Sequence, residues 1–217
     1  MKKENRIRFY ISVCFLAAFL LWTAAICLVD VQAIGPHGKT VGFAAFNRFI
    51  HSLTGLHMSL YTVTDWLGLV PFGFAAGFAV LGLTQWIKRK HLLHVDRSIL
   101  ALGMFYGVVI TVYILFELVP VNYRPVLIDG VAEVSYPSST TLLVMCVMPT
   151  AALQLHARIR NDALRRCITL FISAFTFFMV IGRLISGVHW FTDIIGGILL
   201  STGLVMMYHA VSNLSET

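Results

Sequence analysis

Six separate runs of apolar residues constrain this chain more than any other feature. They cover about Phe9 to Val29, Trp66 to Ile87, Ser98 to Val119, Thr140 to His156, Cys167 to Leu184 and Trp190 to Ala210. A helix needs ~20 residues to cross ~30 Å of hydrocarbon at ~1.5 Å per residue. Most of the runs approach that length; the fourth and fifth are the shortest. The chain has 217 residues, 58% hydrophobic and 12% charged, with a mean hydropathy of +0.83. One soluble core of this size does not enclose that much apolar surface. The expected fold is an all-α integral membrane bundle of six transmembrane helices. No long linker divides it, so 1–217 reads as one membrane-embedded domain, with its motif-bearing core at about 98–211.

Basic residues set the expected orientation. Lys2, Lys3, Arg6 and Arg8 precede span 1; Lys88, Arg89, Lys90 and Arg97 join spans 2 and 3; Arg158, Arg160, Arg165 and Arg166 join spans 4 and 5. These are 12 of the 16 Lys and Arg residues, and such residues collect on cytoplasmic loops. Both termini are therefore expected in the cytoplasm. The net charge of +6 needs no nucleic-acid partner, because no aromatics interleave with the bases as in a nucleic-acid groove. Span 1 is too long for a signal-peptide core and reads as an uncleaved anchor. Cys14, Cys27, Cys146 and Cys167 show no ligand spacing and are expected neither in disulfides nor on a metal.

Asp30 to Asp65 is the longest stretch outside the spans. Gly35-Pro36-His37-Gly38 marks a turn. Phe43, Phe46, Phe49, Ile50, Leu53 and Leu56 then recur near helical spacing. They predict either an amphipathic helix at the outer interface or a re-entrant, packed one.

Only Lys39, Arg48, Arg124 and Arg183 fall on the outer side. Arg183 is followed by His189 and Asp193, four apart, which on a helix share one face. A carboxylate on one imidazole nitrogen fixes the ring and leaves the other nitrogen free to attack an electrophile. Asp193 falls in the first turn of span 6, whose positive end favours anions. Arg124 lies in the loop before Ser135-Tyr136-Pro137-Ser138-Ser139-Thr140-Thr141, where Ser138 or Ser139 suits a helix cap. Two arginines, two helix N-termini and a His/Asp pair on one side suit phosphoryl transfer, in which clamped negative charge dominates catalysis.

These residues resemble the type-2 phosphatidic acid phosphatase superfamily, which includes lipid phosphatases and polyprenyl-diphosphate phosphatases. Its pattern reads Lys-x6-Arg-Pro, Pro-Ser-Gly-His and Ser-Arg-x5-His-x3-Asp. Here Arg124-Pro125, Pro137-Ser138 and Arg183, His189 and Asp193 match in order, over roughly Glu117 to the end of span 6. The resemblance implies His189 as nucleophile, Asp193 as its orienting carboxylate, and Arg183 and Arg124 as phosphate holders, with hydroxyls from Ser138, Ser139 and Thr140 beside them. It implies a lipid phosphate or diphosphate substrate, no cofactor and no metal.

The departures are specific. Glu117 stands at the family's first lysine, Thr140 at its acid histidine, Ser139 at its glycine and Gly182 at its serine. Three readings follow. A prenyl diphosphate dispenses with an acid, because a lipid phosphate leaves more easily than an alkoxide. Glu117 acts as a modified acid, or else pairs with Arg124 or Arg183. Alternatively, the site binds or transports lipid phosphates without turnover. The expected location is a bacterial cytoplasmic membrane, with the site facing outward.

Overall fold

The computed structural model describes residues 3–212. Lys2 and the tail beyond Ser212, which the orientation reading uses, lie outside them. The helices are α1 (Lys3–Leu28), α2 (Ala44–Thr54), α3 (Met58–Leu67), α4 (Leu69–Arg89), α5 (Arg97–Leu118), α6 (Ser139–Arg158), α7 (Asp162–Ile185) and α8 (Phe191–Ser212). Six segments are long and apolar enough to cross a membrane, with α3 and α4 forming the second as Met58–Arg89. The chain is an all-helical, multi-pass membrane protein.

The spans run longer than hydropathy alone suggests. Span 2 begins at Met58 rather than Trp66, which carries Asp65 into a helix. The break inside it has a local cause. Gly68 bridges α3 and α4 with its N–H on the Thr64 and Asp65 carbonyls, and Pro71 has no N–H for the preceding turn. Spans 4 and 5 fill out to 20 and 24 residues.

Helices α6 and α8 are central, about half buried by protein, whereas α1 and α4 mostly face outward. Small residues allow the closest crossing. A Cβ on Gly203 of α8 would sit 2.8 Å from the Leu16 side chain, and Ser12 Oγ donates to the Gly203 carbonyl at 2.7 Å. Phe19, Ile26, Leu102, Leu142, Leu200 and Val205 fill the core between these helices.

The segment after α1 folds back over the end of the bundle opposite the N-terminus. A short 3-10 turn forms at Pro36–Gly38, and α2 follows. Its Asn47 is fully buried and donates to Thr192 Oγ1 at 2.9 Å, while Phe46, Phe49 and Leu53 are exposed. The polar face docks on the start of α8 and the apolar face points away from protein. That suits a helix lying in an interface.

Candidate active site

The site assembles at that end from four pieces of chain: the α7–α8 turn, the loop before α6, the start of α6, and α3. The turn comes first. Helix α7 ends at Ile185 and α8 starts at Phe191, so His189 precedes the helix rather than riding on it. The shared helical face expected for His189 and Asp193 is therefore replaced by a turn. Gly187 makes it possible with φ 73°, a conformation costly for residues with a Cβ. Its backbone also touches Gly55, whose carbonyl oxygen would lie 2.0 Å from a Cβ on Gly187. His51 joins the same turn through the Gly187 carbonyl at 3.0 Å.

Asp193 is fully buried. Its Oδ2 accepts from Trp190 N at 3.0 Å, the reach-back of an N3 carboxylate to the residue just before its helix. Its Oδ1 accepts from Asn122 Nδ2 at 3.1 Å. His189 Nδ1 lies 3.9 Å from Asp193 Oδ2, beyond a hydrogen bond, and has no partner of its own. Burial holds the His189 pKa well below the ordinary histidine value. The positive charges of Arg124 and Arg183 push the same way, and the nearby Ser135 backbone opposes. That shift favours the neutral ring at pH 7.

Arg183 is 1% exposed. Its NH2 lies 3.5 Å from His189 Nε2, and its NH1 lies 3.5 Å from both Thr64 Oγ1 and Asp65 Oδ1. Its guanidinium sits 4.9 Å from the Tyr61 ring centre, and that of Arg124 sits 5.7 Å from the same ring. One aromatic ring thus contacts both cations. Gly182 has a structural reason here, because a Cβ would meet the Thr64 methyl at 2.8 Å and push α3 away.

Arg124 Nε lies 3.1 Å from Glu133 Oε2. Among the described residues, the buried nitrogens Arg124 Nε and NH1 and Arg183 Nε have no hydrogen-bond partner. Arg124 Nε faces Glu133 at ion-pair distance, so Arg124 NH1 and Arg183 Nε are the buried donors without any partner; such donors are costly and suit a phosphoryl oxygen. Ser138 caps α6, with its Oγ accepting from Thr141 N. Ser139 and Thr140 are half-buried and border a groove of about 530 Å³ that Asp65 also lines.

The structure therefore brings His189, Asp193, Arg183 and Arg124 together, with Ser138 at the start of α6. It does not bring in Glu117 as an ion-pair partner. Glu117 is exposed, and the arginines pair with Glu133 and Asp65 instead. Sequence reasoning missed Tyr61, Thr64, Asp65, Asn122 and Glu133. The spacing of Tyr61, Thr64 and Asp65 by three and four is a usable signal, obscured because the apolar run itself begins only at Trp66.

A family model described as the PAP2 superfamily matches residues 72–216. A solved structure, described as that of the first transmembrane PAP2-type phosphatidylglycerolphosphate phosphatase from Bacillus subtilis, superposes with a TM-score of 0.62. It shares 18% identity, over 95% of this chain and 97% of that one. At that identity the likeness concerns the fold. No curated protein matches the sequence significantly.

Proposed function

The chain belongs to the PAP2 superfamily, and from that premise we propose that it is a lipid phosphatase acting on a lipid phosphate or prenyl diphosphate through a phosphohistidine. The observation that carries this is a pair of buried, incompletely paired arginines gathered on Tyr61, one of which brings its amino group to 3.5 Å from His189 Nε2. His189 Nε2 attacks phosphorus while the guanidiniums hold the phosphoryl oxygens. Such preorganised charge is worth ~10²–10³ in rate per donor. Asp193 receives the positive charge that develops on the ring; substrate binding needs to close the 3.9 Å gap only slightly. Ser138, Ser139 and Thr140 offer hydroxyls at the start of α6. The whole of 1–217 serves as one such domain.

The leaving group follows from what the site lacks. Thr140 occupies the family's acid position, and general acid catalysis contributes typically ~10²–10⁴. A lipid monophosphate leaves as a stable anion without it, so the favoured substrate is a prenyl diphosphate. The concentration of bases at the opposite end supports a site that faces out of the cell. The same substitution also favours a competing reading, a binder or transporter without turnover.

Phosphate release by detergent-purified protein tests the proposal. A polyprenyl diphosphate, a polyprenyl monophosphate and phosphatidic acid are each offered to wild type and His189→Ala. Release from the diphosphate, abolished by His189→Ala, is expected. Release that survives the substitution removes His189 as nucleophile, and no release from any lipid by folded wild type moves the reading to binding or transport.

A further inference from the structure

The reaction proposed above leaves a phosphoryl group on His189 Nε2, and water must remove it. That step calls for a group that takes a proton from the water. Four carboxylates lie near the site. Asp193 is fully buried and already accepts from Trp190 and Asn122. Glu133 sits against Arg124. Glu117 is exposed and forms no ion pair among the described residues.

Asp65, like Glu133, is arginine-paired and open to solvent, but its arginine is the one that also reaches His189 Nε2. Its Oδ1 lies 3.5 Å from Arg183 NH1, yet its side chain is 58% exposed. The other amino nitrogen of the same guanidinium lies 3.5 Å from His189 Nε2. Arg183 is buried and stacked on Tyr61, one turn before Asp65 on α3. The guanidinium is thus a fixed spacer, with the nucleophile at one amino group and a wet carboxylate at the other. Asp65 also borders the groove that Ser139 and Thr140 line, so it faces the substrate side.

We propose that Asp65 is the general base of the second half-reaction, a role that rests on the phosphohistidine reading. The water oxygen bonds to phosphorus while the P–Nε2 bond breaks and its electron pair returns to Nε2. The water's proton passes to the Asp65 carboxylate. The products are inorganic phosphate, a neutral imidazole with its proton on Nδ1, and a protonated Asp65 that discharges to solvent through its exposed edge. A lipid diphosphate makes no demand on Asp65 in the first half-reaction, because the lipid monophosphate departs unprotonated.

Rapid-quench kinetics on the full-length protein in detergent separate the two halves. The probe is farnesyl diphosphate radiolabelled in its terminal phosphate, and the proteins are wild type, Asp65→Asn, Asp65→Ser, Asp65→Glu and His189→Ala. Asp65→Asn and Asp65→Ser are expected to keep a burst of about one equivalent of farnesyl monophosphate and to accumulate an acid-labile phosphoenzyme. Their steady state should fall ~10²–10⁴-fold, Asp65→Glu should recover part of it, and hydroxylamine, which needs no base, should discharge the trapped label. Either neutral variant turning over within threefold of wild type overturns the proposal. So does loss of the burst together with turnover in both, which would make Asp65 a support for Arg183 in the first step. Those results with His189→Ala inactive overturn this proposal alone. Turnover without phosphoenzyme in every variant overturns the His189 reading and this one with it.

Discussion

His189 Nδ1 and Asp193 Oδ2 stand 3.9 Å apart across a turn, and the carboxylate is already held by Trp190 N and Asn122 Nδ2. The histidine is therefore the partner free to move. A shift of under ~1 Å brings Nδ1 into hydrogen-bond range, without disturbing the start of α8.

Burial and two arginines hold the His189 pKa below its unfolded value of ~6.5. As pH falls through that value the unfolded chain binds a proton that the folded site refuses. The stability contribution is then complete above about pH 6.5 and lost below it. Thermal unfolding in detergent at pH 7.5 and 5.5 checks this: His189→Gln should lose less stability over that interval than wild type. Equal losses would mean that the ring protonates in place, despite Arg124 and Arg183 beside it.

Asn122 is fully buried; it donates to Asp193 Oδ1 and accepts from Gly42 N at 3.2 Å. Asn122→Ala strips one partner from a buried carboxylate and one from a buried N–H. A stability loss of ~1–3 kcal/mol is expected. Activity should fall in kcat more than in KM if, as proposed, Asp193 acts on the nucleophile and not on the lipid. A change confined to KM would argue against that coupling.

Glu117 is exposed and contacts neither arginine as an ion pair. Glu117→Gln is expected to keep turnover within about threefold of wild type, as for surface changes of ~0.5 kcal/mol. Steady-state phosphate release measures it. A loss of 100-fold or more would return Glu117 to the catalytic step.

Gly187→Ala attacks the turn that delivers His189. The left-handed backbone at φ 73° costs roughly 1–2 kcal/mol for an alanine. The contact with the Gly55 carbonyl oxygen, 2.0 Å from the added Cβ, adds ~1–3 kcal/mol of overpacking. A lower unfolding midpoint and reduced activity are expected together. An unchanged midpoint would show that the turn relaxes freely.

The six spans, the cap at Ser138 and the order of Arg124, Arg183, His189 and Asp193 along the chain were legible in the sequence. The physical reason is that a bilayer acts on each segment by itself: apolar length decides crossing, and flanking charge biases orientation. A cap is likewise a matter of a few neighbouring residues.

Partner choice within the site was not legible, because it depends on how helices far apart in the chain come to touch. Asp65 and Arg183 are 118 positions apart, and Asn122 and Asp193 are 71 apart. Only the packing of α3 on α7, permitted by Gly182, selects Asp65 for Arg183. Only the loop before α6 selects Glu133 for Arg124, leaving Glu117 outside. Even the His189–Asp193 pair, read correctly as neighbours, owes its geometry to a turn braced by Gly55. Spacing along the chain alone does not reveal such a contact.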